Sequence, residues 1–254
     1  MTILAKTIGF EVVKQLLKQT QPYKFILGVR DTTLGKTKAA YDALQYDAGT
    51  HSVTILSLEL SDLRSFAQQA LEKLGEENLD YLILNAALAK DVEPVGPHGS
   101  KWCEAYVVNH LSQHYLIHLL RAKLTASRSR IVFVSSGAVV YPPTKFIQFL
   151  GTHYWRRQLK DTGCTVVAVA PGFIPLTGLS RHTDMKFSMD MPNAKTVEDA
   201  GFMRNDLPAD PEQILLYTGK WLPKDVYSMS LDTELQDKWC PSKDEIEKEA
   251  GLSS

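Results

Sequence analysis

The 254-residue sequence has few cysteines, little net charge and no long apolar run, and each shortage argues against a class of protein. Its cysteines, Cys103, Cys164 and Cys240, are odd in number, far apart and form no C-x-x-C pair. That pattern disfavours a disulfide framework and predicts a reduced, intracellular compartment. A formal net charge of −1 without a long basic run disfavours binding to nucleic acid or an anionic membrane.

The sequence also lacks a membrane-targeting pattern. The first ten residues, MTILAKTIGF, contain no apolar core of signal-peptide length. A run of about eighteen apolar residues, the length that predicts a membrane helix, occurs nowhere. We therefore predict a soluble, cytoplasmic protein without a membrane span. Because neither a repeat nor a linker divides the chain, residues 1–254 are predicted to form a single domain.

Strand-like and helix-like segments alternate along the sequence. Segments with strand character lie at 2–5, 23–29, 52–58, 81–84, 131–134 and 165–170. Segments with helical spacing lie at 9–19, 36–46, 61–74, 101–125 and 141–160. Repeated strand and crossover-helix units predict an α/β fold with a doubly wound parallel sheet, Rossmann-like, in three αβα layers. Ligands of such a sheet bind beyond the carboxyl ends of its strands.

The densest group of reactive side chains lies in one stretch, RIVFVSSGAVVYPPTK, from Arg130 to Lys145. Its apolar run predicts a strand covered on both faces, with Ser135 and Ser136 at the carboxyl end. Tyr141 and Lys145 are four residues apart where helical spacing begins, so we expect both side chains on one helix face. A fixed cation lowers the pKa of a phenol from its ordinary value of about 10, so Tyr141 would exchange a proton with a carbonyl or alcohol oxygen.

Taken alone, the Tyr-x-x-x-Lys spacing is better explained as an amphipathic helix start, because it is common by chance. Other motifs follow the predicted elements in order. Asn85-Ala86-Ala87 comes after the fourth strand, Asn109 lies inside the long helix, and Pro171-Gly172 comes after the sixth strand. Their order indicates one site at the carboxyl edge of the sheet.

Together with VSS and YPPTK, these motifs resemble the short-chain dehydrogenase/reductase family over about residues 8–180. The nearest branch is that of retinol-dehydrogenase-like, protochlorophyllide-reductase-like and fungal carbonyl-reductase-like members. The resemblance implies an NADP(H)-dependent oxidoreductase that interconverts a carbonyl and a secondary alcohol in an apolar small molecule. It implies that Tyr141 is the acid/base, that Lys145 lowers the phenol pKa and binds ribose, that Ser136 orients the substrate, and that Asn109 holds a water in the proton relay. A homodimer or homotetramer is common among similar proteins.

The resemblance also implies a set of cofactor contacts. Asp62 would contact the adenine, and Asn85 would belong to a turn beneath the cofactor. Arg30 suits a 2′-phosphate through charge-assisted hydrogen bonds, while Val29 leaves no acid to bind a free 2′-hydroxyl, which favours NADP(H) over NAD(H). The full set of implied contacts is Gly9, Ile8, Arg30, Asp62, Asn85, Ala86, Tyr141, Lys145, Pro171, Gly172 and Ile174.

The sequence departs from the family pattern at several loops. The family opens with Thr-Gly-x-x-x-Gly-x-Gly, whose glycines let backbone amides approach the pyrophosphate, and only Gly9 of these is present. The loop from Ser136 to Tyr141 is shorter than in the family, the helix after Asp62 is about one turn short, and the segment 200–204 is abridged. Three interpretations stay open. The chain is a pseudoenzyme or a non-redox isomerase or cyclase of secondary metabolism; the sequence is faulty or engineered; or loop residues are absent from it, which we favour because the gaps fall at cofactor- and substrate-facing loops.

Three further segments are interpreted without a catalytic role. His110, His114 and His118 recur every four residues, but no acidic or cysteine ligand neighbours them at motif spacing, so we predict packing or surface histidines and no metal. The methionine-rich part of 173–205 is expected to form a substrate lid, with core filling as an equal alternative. Residues 230–254 are expected to form a C-terminal extension that ends in a charged helical run.

Overall fold

A computed structural model describes residues 7–63, 75, 77–89, 100–136, 143–175, 177, 187–201 and 213–252. The chain divides into two compact units. Unit 1 comprises Met1–Glu59 and Gly172–Asn205, and unit 2 comprises Leu60–Pro171 and Asp206–Ser254. The predicted first strand and most of the predicted helix at 61–74 lie outside the described residues.

Helices and strands alternate through the described residues. The strands are β1 (Lys24–Val29), β2 (Ser52–Ser57), β3 (Tyr81–Leu84), β4 (Arg130–Val134), β5 (Thr165–Ala170), β6 (Leu215–Tyr217) and β7 (Lys220–Trp221). The α-helices are α1 (Ile8–Leu16), α2 (Asp31–Asp42), α3 (Glu104–Tyr106), α4 (Ser112–Ala126), α5 (Pro143–Gln158), α6 (Val197–Gly201), α7 (Thr233–Trp239) and α8 (Lys243–Glu249). A π-helical turn (Val107–Leu111) joins α3 to α4, and a 3₁₀ segment (Lys224–Leu231) precedes α7. Among these helices, none has the length and apolar content needed to cross a bilayer.

Unit 1 is built on a parallel pair of strands. β1 and β2 run side by side, with Lys24 opposite Ser52 at one end and Val29 opposite Ser57 at the other. Alternate residues of β1 are partly buried, which is the period expected when one face of a strand is covered. The apolar face of α1 and the Tyr41 ring of α2 cover that face. Their buried core consists of Phe10, Val13, Leu17 and Tyr41.

Unit 2 is built on a five-stranded sheet with the order β3-β4-β5-β6-β7. The first four strands are parallel, and β7 returns antiparallel to β6. Four of the five residues of β4 are buried, because Ile131 and Phe133 pack against α4 and α5 side chains such as Leu124 and Trp155. The prediction of a parallel strand covered on both faces is therefore confirmed, and so is the α/β class.

Two helix predictions were wrong in their bounds. The segment 101–125 is not one α-helix, because a π turn interrupts it at Val107–Leu111. The hydroxyl of Ser112 donates to Val107 O at 2.8 Å, which occupies a carbonyl in the region where the helix is wound more loosely. The second helix begins at Asp31 rather than at residue 36, directly after β1, and it follows an extended Arg30 that gives no usual capping signal.

Replacing Gly151 with alanine is expected to destabilise unit 2 by about 1 to 3 kcal/mol. A Cβ at this position of α5 would lie 2.7 Å from Cε1 of His110, whose ring is held by a hydrogen bond from Nε2 to Trp239 O. The energetic cost of that overlap exceeds the stabilisation that alanine gains over glycine inside a helix. Gly35 of α2 is the matched control, because its added Cβ meets nothing within 4 Å and should stabilise by about 0.5 to 1 kcal/mol. Urea unfolding midpoints of both variants measure the difference, and equal effects would contradict the packing.

Candidate active site

Lys145 lies at the start of α5 and reaches the carboxyl end of β4. Its Nζ donates to Val134 O at 2.8 Å and to Oε1 of Gln148 at 3.0 Å. The first bond ties the helix start to the last residue of the strand. The second joins side chains three apart, which face each other on a helix. An ammonium is thereby fixed at the strand end where ligands of parallel sheets bind.

The surroundings of Lys145 change its acidity. Burial of the ammonium lowers the pKa of Lys145 from its ordinary 10.5 to about 7, although part of the residue as a whole remains exposed. The two hydrogen bonds use two of the three N–H groups of the ammonium. Among the described residues, which exclude 137–142, none accepts from the third. Such a lysine combines a desolvated charge with a proton that exchanges near neutral pH.

Asn109 is held by three hydrogen bonds from its side chain. It lies in the π turn with 1% of its surface exposed, and its Oδ1 accepts from Leu88 N at 2.7 Å. Its Nδ2 donates to Leu88 O at 2.8 Å and to Oγ1 of Thr144 at 3.0 Å. Because Thr144 precedes Lys145, this side chain connects the loop after β3 with the start of α5. All these bonds are internal, so Asn109 is fixed before any ligand binds.

Two glutamines that the sequence analysis did not single out complete the network. Gln113 of α4 donates from Nε2 to Ala86 O at 2.9 Å and to Val108 O at 3.1 Å. Gln148 donates from Nε2 to Oε1 of Gln113 at 2.8 Å. Their spacing was the available signal, because they lie four residues after Asn109 and three residues after Lys145.

The two strand-end serines differ in their surroundings. Ser135 has 6% of its surface exposed, its backbone N–H donates to Val169 O, and its hydroxyl has no hydrogen-bond partner among the described atoms. Ser136, the predicted substrate-orienting residue, follows it and is half-buried. An unpaired buried hydroxyl is costly unless something else satisfies it, so this end of β4 suits a polar ligand.

The remaining predicted residues of unit 2 are placed as follows. Asn85 and Ala86 follow β3 directly, and Ala86 supplies the carbonyl that orients Gln113. Asp62 is half-buried, and Pro171 follows β5. Tyr141, the predicted acid/base, lies outside the described residues, so its place on the face of Lys145 stays a prediction.

Unit 1 contains the other predicted cofactor contacts. Thr7 caps α1 in an extended conformation with φ −101°, and Ile8 and Gly9 form the first helical turn. Arg30 follows β1. The remaining two residues come after β5. Gly172 has φ +92°, a conformation that favours glycine, and Ile174 is buried against Val197, Ala200 and Ile8.

The histidines of α4 and the preceding π turn bind the C-terminal part of unit 2. Nε2 of His110 bonds Trp239 O, and Nε2 of His114 bonds Pro241 O, both at 2.8 Å. Nδ1 of His114 accepts from the indole N–H of Trp155 at 2.9 Å, so its proton is on Nε2. Ligand atoms of His110, His114 and Cys240 lie within 4.8 Å of one another, a proximity that sequence spacing did not reveal. A metal bound there would compete with these hydrogen bonds.

Comparison with known proteins assigns the family. The model of the family described as short chain dehydrogenase matches residues 1–186. The chain belongs to the short-chain dehydrogenase/reductase family. A short-chain dehydrogenase/reductase of Pestalotiopsis microspora is 53% identical, over 94% of this chain and 94% of the relative. The human retinol dehydrogenase 11 is 32% identical, over 69% of this chain and 60% of the relative.

Solved structures of the family share the fold. A short-chain dehydrogenase from Sphingobium yanoikuyae in complex with NADPH has a TM-score of 0.61 and 18% identity, covering 78% of each chain. An NADPH-bound carbonyl reductase from chicken fatty liver has a TM-score of 0.55 and 19% identity, covering 77% of this chain and 81% of that one. At such identities, the likeness concerns the fold alone.

The Pestalotiopsis alignment also bears on the short loops of this short-chain dehydrogenase/reductase. It runs over 276 positions, whereas this chain has 254 residues in all. The alignment length less the chain length leaves at least 22 positions at which the relative has a residue and this chain has none. The chain therefore lacks residues that this relative has within the aligned region.

Proposed function

We propose that the protein is an NADP(H)-dependent oxidoreductase that interconverts a carbonyl and a secondary alcohol through Ser136, Tyr141, Lys145 and Asn109. The observation that supports this proposal most directly is the Lys145 ammonium, which is desolvated and bound to Val134 O at the carboxyl end of β4. Asn109 stabilises the same helix start through Thr144. The family membership supports the reaction class.

The proposed chemistry separates the hydride from the proton. NADP(H), when bound, supplies or accepts the hydride, which no side chain can do. Ser136 donates a hydrogen bond to the substrate oxygen, and Tyr141 gives or takes the proton at that oxygen. The positive charge of Lys145 lowers the pKa of the Tyr141 phenol, so that the proton moves near neutral pH. Asn109 holds the water through which that proton exchanges with solvent.

The residues of unit 2 fit the nicotinamide and ribose end of such a cofactor. Among the described residues, the third N–H of Lys145 and the buried Ser135 hydroxyl have no partner, so both would suit polar groups of the cofactor at this strand end. For unit 1 we propose backbone contacts from Ile8, Gly9, Gly172 and Ile174. Asp62, Asn85, Ala86 and Pro171 complete the proposed cofactor contacts.

Arg30 supports the choice of NADP(H) over NAD(H). A guanidinium forms charge-assisted hydrogen bonds with a phosphate, and Val29 cannot bind a free ribose hydroxyl. The two structural neighbours named above were solved with NADPH. We extend the proposal to an apolar carbonyl or alcohol substrate, a cytoplasmic location, and a homodimer or homotetramer of a single-domain chain.

One observation favours a second candidate function. Thr7 occupies the N-cap of α1, directly before Ile8-Gly9, where the family pattern has a glycine. Of the family's phosphate-binding glycines only Gly9 is present, so fewer backbone positions suit a pyrophosphate. The alternative is a non-redox isomerase or cyclase of secondary metabolism, or a pseudoenzyme, that retains the fold.

Titration with NADPH, followed by its fluorescence, separates these functions. We expect saturable binding, with NADPH favoured over NADH by about tenfold or more because a charge-assisted bond to the 2′-phosphate is lost with NADH. Arg30→Gln should remove that preference, whereas Arg121→Gln, on the exposed side of α4, should leave it unchanged. Oxidation of bound NADPH by apolar aldehydes and ketones completes the test. If NADPH does not bind, the oxidoreductase proposal fails and the second candidate remains.

A further inference from the structure

A chain of hydrogen bonds connects the loop after β3 with the candidate lysine. It runs from Ala86 O to Gln113, from Gln113 to Gln148, and from Gln148 to the ammonium of Lys145. Every atom in it belongs to unit 2. The two glutamines are 2% and 0% exposed, so water does not compete for their amide groups.

The direction of each amide in this chain is fixed by its neighbours. Gln113 faces two backbone carbonyls, Ala86 O and Val108 O, which only accept, so its NH₂ group points towards them. Its oxygen is then left to accept from the NH₂ group of Gln148. That bond turns the oxygen of Gln148 towards Lys145. A rotated amide at either position would place two donors or two acceptors together in a buried site, which is costly.

We propose that Gln113 and Gln148 are positioning residues that hold the Lys145 ammonium, a role that rests on the proposed function of Lys145 in proton transfer. Gln148 supplies the acceptor, and Gln113 fixes the orientation in which that acceptor is presented. With Val134 O as the second acceptor, the ammonium is oriented before a ligand arrives. Neither glutamine contacts the reacting atoms, because each acts through the lysine.

Three substitutions to methionine, which keeps the length of glutamine but lacks its amide, test this arrangement. Gln148→Met removes the acceptor, and Gln113→Met removes the group that orients it. Gln236→Met is the matched control, because Gln236 is equally buried and its amide donates to Ser230 O at 2.8 Å. Thermal unfolding of each variant shows whether it folds.

The first measurement is the reactivity of the Lys145 amine, obtained by trace acylation with acetic anhydride and mass spectrometry, from about pH 6 to about pH 10. It needs neither cofactor nor substrate. Loss of the acceptor disfavours the ammonium, so Gln148→Met should shift the titration of Lys145 downward by about half a pH unit or more. Gln113→Met should shift it less in the same direction, and the double variant no further than Gln148→Met alone. Gln236→Met should leave it unchanged.

The second measurement is the pH dependence of kcat/KM with NADPH. A less well-held ammonium lowers the phenol pKa less, so the limb that reports the Tyr141–Lys145 pair should move to higher pH in Gln148→Met. If the labelling shifts but no redox turnover exists, the positioning role stands and the proposed function fails. Coincident labelling curves for Gln148→Met and Gln236→Met would overturn the positioning role, whatever the turnover. Should Gln148→Met not fold, Gln113→Met decides by the same criterion.

Discussion

Replacing Tyr141 with phenylalanine is expected to lower kcat by about 10³-fold while leaving the thermal unfolding midpoint unchanged. The substitution removes one hydroxyl and keeps the ring. If the phenol gives the proton to the substrate oxygen, hydride transfer in its absence must leave an unprotonated alkoxide. The fixed ammonium of Lys145 remains in place, so NADPH affinity should change little. Stopped-flow measurement of NADPH oxidation at saturating substrate gives the effect directly.

Tyr154→Phe is the matched control for this experiment. Tyr154 lies on α5, and its ring packs edge-on against Trp155 at a centroid distance of 5.5 Å, an arrangement that phenylalanine reproduces. Its turnover should equal that of the wild type. Normal turnover in Tyr141→Phe would remove Tyr141 from the proposed mechanism. An equal loss in both variants would indicate damage to the fold rather than to the chemistry.

Mild acid is expected to destabilise unit 2 through its buried histidines. Burial lowers the pKa of His110 from 6.5 to about 4, and burial holds the pKa of His114 well below its ordinary value. A second proton on His114 would also face the donating indole N–H of Trp155. In the unfolded chain both imidazoles take up protons near pH 6.5. Stability is therefore complete above pH 6.5 and is lost as the pH falls towards 4, with about 3 kcal/mol from His110 alone.

His110→Gln separates this effect from the protonation of carboxylates. Glutamine retains an N–H donor for Trp239 O but does not titrate, so the variant should lose less stability than the wild type between pH 6.5 and pH 4. Urea unfolding at intervals across this range measures both slopes. The smaller side chain of the variant also leaves a gap beside Gly151. The difference in unfolding free energy between the two proteins above pH 6.5 gives the cost of that gap, which is then subtracted at lower pH. Parallel slopes would show that His110 is not the titrating group.

Periodicity and composition predicted the strands of both units closely. The strands at 81–84 and 165–170 have the predicted bounds, because each is a short, mostly apolar run bounded by polar residues or by Pro171. The bounds of the helices were predicted less well. The π turn lies inside the segment predicted as one α-helix, and β6 and β7 contain only five residues in all, too few for a periodic signal.

The candidate site was predicted in part, for a physical reason. Asn109 and Lys145 stand out because ordered motifs mark them, and the structure gives both of them fixed internal partners. Gln113 and Gln148 were missed because their spacing from Asn109 and Lys145 shows only a shared helix face, whereas their role depends on the bond that joins the two helices. The proximity of Cys240 to His110 was missed for the same reason, since 130 positions separate them in the chain.

The parallel pairing of β5 with β6 has a consequence for biosynthesis. Leu215–Tyr217 is made after nearly all the rest of unit 2's sheet, so a nascent chain on the ribosome first presents β5 as an open edge. Unit 1 is likewise closed only by residues translated after those of β5. The sheet of unit 2 therefore stays incomplete until Leu215–Tyr217 and Lys220–Trp221 have been made. Arrested nascent chains that stop before residue 215 should therefore need a chaperone to stay unaggregated.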